Sequence, residues 1–398
     1  MSAQPIHRAR AAVALAAGAA AAILGLSTAL GDGRSSRQAF DAGRLPLREL
    51  AGQRIIAGFH GTRPPPAVRR AIANGDLAGV ILFADNVPSH GAARSLIGRL
   101  QGIRRPRGLR DPLLVMIDQE GGGVKRLSGA PTASAQQMGK RGGAFSRDQG
   151  TATAANLRGV GVNVDLAPVL DVGRPGGAIR TEHRSFGSSA EQVSSTGVPF
   201  AAGLQSAGIA AAGKHFPGLG AAGTNTDLAT QTINLSKDQL RSIDEKPYES
   251  LISQGGELVM LSVASYPAFS DRPAALAAPI ATGELRRRLG FDGVSVSDSL
   301  ESAAAQAFGG PAKVAVAGAK AGTDLLLFGD FAPAARADAA LKKALRAGSL
   351  PRSSFEQSVQ RVLDLRAKLP APPQRAVRRQ AVAQTPPTVT SPASDSQR

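Results

Sequence analysis

Eight short apolar runs recur along the chain, with helical stretches between them. The runs are QRIIAGFHG (53–61), AGVILFADN (78–86), PLLVMIDQEGG (112–122), NVDLAPVLDV (163–172), GIAAAGKHFPG (208–218), ELVMLSVASYP (257–267), GVSVSDS (293–299) and TDLLLFGD (323–330). Continuous apolar strands separated by helices are typical of parallel sheets that are covered on both faces. Eight such units in roughly 320 residues predict an α/β fold, a single (β/α)8 TIM barrel. A doubly wound sheet is the alternative, but it does not require eight repeats.

Polar residues stand at the C-terminal ends of these runs. They are His60, Asp85, Asp118-Gln119-Glu120, Asp171, Lys214-His215, Asp298 and Asp330. In a (β/α)8 barrel all of these ends meet at one face, which is where the active site lies. The sequence therefore predicts a cluster of carboxylates with a lysine and a histidine at that face.

The residue types in this cluster narrow the chemistry. The chain has no Cys, so it can form neither a disulfide nor a thiolate metal site. The HExxH motif is absent, and QEGGGVKR (119–126) lacks the spacing of a phosphate-binding loop. Glycosidic bond cleavage suits what remains, because it needs one carboxylate at the anomeric carbon and a second group to protonate the leaving oxygen. No metal and no cofactor are expected.

The formal net charge is +17, which raises the question of a nucleic-acid partner. Segments 1–45 and 366–398 carry +8 of this charge, and we expect the other +9 to be spread thinly over the folded part. Only 4% of the residues are aromatic, too few for base-stacking platforms. The charge therefore predicts a solvated basic surface, attracted to anionic envelope polymers rather than to nucleic acid.

The two ends of the chain differ from the middle. Residues 1–30 have a basic start followed by an uncharged run at 11–30, a pattern of a secretory signal peptide that is also long enough for an N-terminal membrane anchor. The protein is therefore expected to be exported, either secreted or anchored in the cell envelope. Residues 31–45 are predicted to be a polar linker, 46–369 the folded domain, and 370–398 a disordered tail rich in Pro, Ser and Thr.

Five motifs resemble glycoside hydrolase family 3. They are IDQEGGGVKR (117–126), NVDLAPVLDV (163–172), RSFGSSAEQV (184–193), KHFPGLG (214–220) and LGFDGVSVSDSLE (289–301). They occur in the family's order over nearly all of residues 46–369, and the pattern is similar to the single-domain bacterial β-N-acetylhexosaminidase branch. The resemblance implies a retaining glycosidase that releases terminal β-linked sugars from cell-wall or related glycans. β-Glucoside and β-xyloside specificities remain open.

The resemblance also implies site residues. Asp298 matches the family's nucleophile, which attacks the anomeric carbon and forms a glycosyl-enzyme intermediate. Its alternative interpretation is an N-cap of the helix that follows. Four further residues match positions that hold the sugar: Asp118, Arg184, Lys214 and His215. Glu120 and Arg126 are interpreted as supports of their loop.

The sequence departs from the branch at the acid/base. There the KHFPG motif continues to Asp-Ser/Thr-His, whose His is the proton donor, whereas here Asn225, Thr226 and Asp227 occupy the three positions. Gly123 and Val263 also stand where the family usually has Arg and His. We favour Asp227 as the replacement acid/base, which requires its pKa to be raised. The alternatives are an enzyme that needs little protonation or borrows another acid, and a catalytically impaired glycan-binding envelope protein.

Overall fold

The computed structural model describes residues 39–370. The predicted signal peptide or anchor (1–30) lies outside the described residues. So do residues 31–38 of the predicted linker and residues 371–398 of the tail that was predicted to be disordered. Within 39–45, Ala42 and Leu45 are buried, and the backbone amide of Ala42 donates to Oε1 of Gln360 at 2.8 Å. This short segment is therefore packed against the last helix of the domain.

Eight parallel strands form one sheet, in which chain neighbours are also spatial neighbours. The strands are β1 Ile55–Ala57, β2 Gly79–Leu82, β3 Leu114–Ile117, β4 Val164–Asp165, β5 Ala210–Phe216, β6 Leu258–Leu261, β7 Val294–Ser297 and β8 Leu326–Phe328. β8 pairs with β1, with Ile55 opposite Leu326, and a parallel bridge between Val296 and Leu325 joins β7 to the start of β8. The sheet thus closes on itself. The predicted (β/α)8 barrel is confirmed, and the doubly wound alternative is wrong.

Side chains alternate between two cores along each strand, as the period of a strand requires. On β3, Leu114 and Met116 point into the barrel, whereas Val115 and Ile117 pack against the outer helices. The inner core also takes in Val362 of the last helix. Most strands are therefore apolar on both faces, which is why they appear in the sequence as continuous apolar runs. β4 and β7 are exceptions, because Asp165 follows Val164 and because Ser295 and Ser297 alternate with Val294 and Val296.

The helices surround the barrel. They are α1 Leu47–Gly52, α2 Pro66–Asn74, α3 His90–Gln101, α4 Ala135–Arg141, α5 Gly143–Arg158, α6 Ala178–Thr181, α7 Ala190–Ser206, α8 Lys237–Gln239, α9 Lys246–Ser253, α10 Ala303–Gln306, α11 Pro311–Ala321, α12 Phe331–Arg346 and α13 Arg352–Lys368. π-Helical segments span Leu240–Asp244 and Pro279–Arg288, and 3-10 turns span Ala42–Arg44, Ala84–Asn86, Arg107–Leu109 and Ala274–Leu276. No helix within residues 39–370 is long and apolar enough to cross a bilayer.

Serine side chains begin several of these helices. Ser89 Oγ accepts from the Ala92 amide at α3, and Ser189 Oγ accepts from the Gln192 amide at α7. Such N-caps typically contribute about 1 kcal/mol each. Two short antiparallel hairpins lie outside the barrel sheet: Gln119–Gly121 with Val124–Lys125, and Ser265–Tyr266 with Ser270–Pro273. The first directly follows β3 and shapes the mouth of the barrel.

Candidate active site

A cavity of about 250 Å³ lies at the C-terminal ends of the strands. Its lining includes all six residues predicted for the site: Asp118, Arg184, Lys214, His215, Asp227 and Asp298. Asp118 follows β3, Lys214 and His215 lie within β5, and Asp298 follows β7. The parallel order of the barrel thus brings together residues that are up to 180 positions apart in the chain.

Lys214 stands at the centre of a buried charge cluster. Its Nζ lies 2.7 Å from Oδ1 of Asp118 and 2.7 Å from Oε1 of Glu120. Arg184 binds Glu120 with both Nε (2.8 Å) and Nη2 (2.9 Å), the bidentate geometry that favours an arginine–carboxylate pair. Every cation in this group is matched by a carboxylate, so the cluster is fixed before any sugar arrives.

The cluster keeps its carboxylates ionised. Burial opposes ionisation of Glu120, but the charges of Lys214 and Arg184 outweigh it and lower the pKa of Glu120 to about 2. Burial likewise opposes ionisation of Asp118, and Lys214 with Arg126 lowers the pKa of Asp118 below its usual range. Asp118 is only partly buried and faces the cavity, so an ionised oxygen there can accept hydrogen bonds from sugar hydroxyls. Lys214, by contrast, has its pKa raised, since the two carboxylates outweigh its burial.

Glu120 contributes more to the cavity and its charge cluster than the sequence indicated. We expected it to support its loop. It lies in the first hairpin, but its carboxylate lines the cavity and joins Lys214 to Arg184. The signal was its position two residues after Asp118, because alternate residues of an extended segment share a face. Arg126, the other expected loop support, reaches Oδ2 of Asp118 at 3.4 Å and lines the cavity too.

His215 is oriented by a residue that the sequence reasoning did not assign. Its Nδ1 lies 2.7 Å from Oδ2 of Asp171, which is fully buried. The other oxygen of Asp171 accepts the backbone amides of His215 (3.1 Å) and Leu219 (2.7 Å). Asp171 was visible in the sequence as a polar residue near the end of a predicted strand. Its partner could not be identified there, because it lies 44 positions further on.

Asp298 lies where β7 ends, with its backbone amide donating to the carbonyl of Leu261 on β6. Its Oδ1 accepts the amide of Ser299 at 2.8 Å, and no basic side chain within residues 39–370 forms an ion pair with it. The helix that follows, α10, is capped by Ser302, whose Oγ accepts the Ala305 amide. The alternative interpretation of Asp298 as the cap is therefore wrong, and its carboxylate faces the cavity.

Asp227 reaches the same cavity from the loop after β5. At the start of this loop the backbone of Gly220 packs directly against the backbone of Val172. A Cβ at Gly220 would lie only 1.9 Å from the carbonyl oxygen of Val172. Further on, Oδ1 of Asn225 accepts the backbone amide of Asp227 at 2.9 Å. Asparagine at 225 thus forms a tight turn that presents residue 227.

Two backbone hydrogen bonds fasten the tip of this loop. The amides of Ala303 and Ala304, at the start of α10, donate to the carbonyls of Asp227 (3.3 Å) and Thr226 (3.4 Å). Because α10 follows Asp298 by only a few residues, the loop of Asp227 is attached to the segment that carries Asp298.

The carboxyl of Asp227 has a raised pKa. Asp227 as a residue is exposed, but it lines the cavity, and partial burial there is the main cause. The negative charges of Asp298 and Asp118 raise the pKa further, while His215 and Arg184 oppose them. A carboxyl with a raised pKa beside a second carboxylate can act as an acid next to a nucleophile, as the two carboxyl groups of carboxylate glycosidases do.

Three residues at the strand ends lie apart from this cavity. Nδ1 of His60 lies 3.3 Å from Asp85, and its Nε2 lies 3.5 Å from Asp330; all three are exposed. No group of three or more His, Asp or Glu side chains within residues 39–370 has the arrangement of a metal site.

The two other positions that depart from the family pattern follow β3 and β6. A Cβ at Gly123 would contact nothing within 4 Å, and Val263 is fully buried in the outer core.

The model of the glycosyl hydrolase family 3 N terminal domain matches residues 47–365. The chain belongs to glycosyl hydrolase family 3. It is accordingly a glycosidase that hydrolyses O-glycosyl bonds, and the predicted membership is confirmed.

Relatives agree with this assignment. An uncharacterized secreted glycosyl hydrolase of Arthroderma benhamiae is 37% identical over 82% of this chain and 95% of that protein. A β-hexosaminidase of Thioalkalivibrio sulfidiphilus is 34% identical over 69% of this chain and 79% of that protein.

Solved structures show the same fold. A family 3 β-N-acetylglucosaminidase of Paenibacillus sp. superposes with a TM-score of 0.77 at 33% identity, over 81% of this chain and 62% of that one. A β-N-acetylhexosaminidase of Beutenbergia cavernae superposes with a TM-score of 0.74 at 30% identity, over 81% of this chain and 98% of that one.

Proposed function

We propose that this protein is a retaining glycosidase that releases terminal β-linked sugars, N-acetylhexosamine foremost, from cell-wall or related glycans. One observation carries the proposal: Asp298, which has no basic partner within residues 39–370, and Asp227, which has a raised pKa, line one cavity beside the Lys214 cluster. The β-hexosaminidase and β-N-acetylglucosaminidase relatives support the choice of sugar.

The chemistry follows from the two carboxyl groups. Asp298 attacks the anomeric carbon while Asp227 gives its proton to the departing oxygen, so a glycosyl–Asp298 ester forms and an alcohol leaves. Asp227 then takes a proton from a water that attacks the same carbon, which releases the sugar and restores both groups. Two inversions at one carbon retain the β configuration. Asp118, Arg184, Lys214 and His215 hold the sugar hydroxyls and keep the anomeric carbon within reach.

The first test is hydrolysis of a panel of 4-nitrophenyl β-glycosides. Nitrophenolate leaves with little protonation, so the panel reports mainly on Asp298. Release from the β-N-acetylglucosaminide above the glucoside and xyloside is the expected result. Asp298→Asn should reduce turnover at least about 10³-fold, since it removes the nucleophile. Asp330→Asn, an exposed aspartate at the same end of the barrel but outside the cavity, is the matched control and should remain active. If none of these glycosides is hydrolysed, the result would instead favour a non-catalytic glycan-binding protein.

The second test separates the two carboxyl groups. Asp227→Asn should still cleave nitrophenyl glycosides to the intermediate but stall at hydrolysis, where a base is needed. Azide needs no base, so it should restore turnover and give the β-glycosyl azide. Lack of azide rescue, or an unchanged rate on an unactivated disaccharide, would remove Asp227 from this role.

We also propose that the protein is exported, with residues 1–30 acting as a signal peptide or membrane anchor. The basic start and uncharged run support this, as does the secreted relative. Fractionation of the producing cells, with the N-terminal sequence of the recovered protein, tests it. A cytosolic protein with an intact N-terminus would overturn the proposal.

A further inference from the structure

A second concave surface lies on the flank of the barrel, between α2 and α3. It is a groove of about 910 Å³ that shares no lining residue with the catalytic cavity. Five arginines line it: Arg63, Arg69, Arg70, Arg99 and Arg104. All five are exposed.

The positive charge of this groove is not neutralised. Residues 61–110 contain nine arginines but only two acidic residues, Asp76 and Asp85. Asp76 binds Nζ of Lys342 at 2.8 Å, and Asp85 accepts from His60 and from the amide of Gly61 at the barrel mouth. The expectation that the excess charge is spread thinly is therefore wrong, because +7 of it falls within this segment of 50 residues.

The arginines of the groove do not form ion pairs within residues 39–370. Arg99 donates to Ser95 Oγ (2.7 Å) and to the carbonyl of Thr62 (2.8 Å), both of which are neutral. Several arginines elsewhere in the barrel are paired: Arg241 and Arg288, for example, share Glu284. Like charges placed side by side repel one another, and an anion in the groove would relieve this repulsion.

The shape and lining of the groove select among anions. A groove fits a chain better than a flat bilayer surface does. Guanidinium groups bind carboxylate or phosphate groups with two parallel hydrogen bonds. The lining has no aromatic residue, so it lacks the platforms on which single-stranded nucleic acids stack their bases. The groove is therefore best suited to a polymer that carries negative charges along its backbone and that does not depend on stacking against aromatic side chains.

We propose that the groove between α2 and α3 binds an acidic glycan, a polysaccharide that carries anionic groups along its chain. This inference goes beyond the proposed function and does not depend on it. Binding here would hold the protein on an anionic carbohydrate while the barrel mouth remains free to act on chain ends.

Gly98 offers a test that removes no arginine. It lies in α3 and lines the groove, and a Cβ placed on it would contact nothing within 4 Å. Gly98→Glu therefore introduces a negative charge among the arginines without a steric clash, and glutamate favours a helix more than glycine does. Gly98→Gln has nearly the same shape without the charge and is the matched control.

The experiment measures binding of polygalacturonate to the full chain at about 0.1 M NaCl, with neutral dextran and a single-stranded DNA 20-mer as comparisons. We expect polygalacturonate to bind, dextran not to bind, and DNA to bind more weakly. Gly98→Glu should weaken polygalacturonate binding about tenfold or more, whereas Gly98→Gln should leave the affinity unchanged. Higher salt concentration should weaken polygalacturonate binding by both variants.

Four results would overturn the proposal: no binding of polygalacturonate, no effect of Gly98→Glu, an equal loss with Gly98→Gln, or tighter binding of DNA. The same measurements in an Asp298→Asn background should give the same affinities. Loss of glycosidase activity and loss of glycan binding in the groove can thereby be distinguished.

Discussion

The imidazole of His215 is held by Asp171, whose Oδ2 lies 2.7 Å from Nδ1. Asp171 is fully buried and lies outside the catalytic cavity, whereas His215 lines it. A carboxylate beside Nδ1 keeps the proton there, so that Nε2 is the nitrogen available to a ligand. We therefore propose Asp171 as a positioning residue that acts on the substrate through His215.

Asp171→Asn should raise KM about tenfold with a smaller effect on kcat, because a weakened hold lets the ring turn away from the sugar. A double-mutant cycle with His215→Ala checks this route. If Asp171 acts through His215, adding Asp171→Asn to His215→Ala should leave kcat/KM as it was. Fully additive losses would show that Asp171 acts by another path.

The raised pKa of Asp227 predicts the basic limb of the pH profile. The acid must be protonated to donate, so kcat/KM on an unactivated disaccharide should fall as pH rises through this pKa, which lies above the ordinary value of about 3.9 for Asp. Asp227→Asn should cost about 10²–10⁴-fold on that substrate and remove the limb. Asp271→Asn, an exposed aspartate outside the cavity, should change neither. A limb that survives in Asp227→Asn would assign it to another group.

The role of Asn225 can be tested by two substitutions, each of which should change a different kinetic property. Asn225→Ala removes the acceptor of the Asp227 amide and should lower kcat about tenfold, because Asp227 loses its turn. Asn225→Asp keeps an acceptor but adds a negative charge near Asp227, so the basic limb of the profile should move to higher pH. An unchanged kcat in Asn225→Ala, or a limb that does not move in Asn225→Asp, would contradict this account of how Asn225 places Asp227.

The Glu120 carboxylate predicts an acid-dependent stability. Its pKa is about 2 in the folded protein against an ordinary 4.5, so its stabilisation is present above pH 4.5 and is lost as pH falls toward 2. The shift corresponds to about 3 kcal/mol at neutral pH. Urea unfolding of Glu120→Gln should show a loss of this order at pH 7 that shrinks as the pH is lowered.

Glu182→Gln is the matched control for that measurement. Glu182 also binds Arg184, at 3.3 Å, but it is 43% exposed at the side chain, so its removal should cost under about 1 kcal/mol. Equal losses in the two variants would contradict the electrostatic origin assigned to Glu120.

Much of the fold followed from the sequence because a barrel strand is buried on both faces. Each of the eight predicted runs contains one barrel strand, and the polar ends of β3, β5 and β7 carry the cavity. These features are local in the chain, and the closure of a parallel barrel then fixes which ends meet.

The features that were missed depend on partners that are remote in the chain. The link from Glu120 to Arg184 spans 64 residues, and that from His215 to Asp171 spans 44. The basic groove was missed for a similar reason. Its arginines lie in two stretches, 63–70 and 99–104, which form one surface only when α2 and α3 lie side by side.

The two hydrogen bonds from the start of α10 to the loop of Asp227 have a consequence for how this site can change. They join backbone to backbone, so they hold the position of residue 227 whatever its side chain is. The backbone attachment of residue 227 is therefore independent of the side chain that it carries. In the proposed mechanism, exchanging one titrating group for another at residue 227 would therefore alter the working pH of the site while the backbone scaffold stays the same.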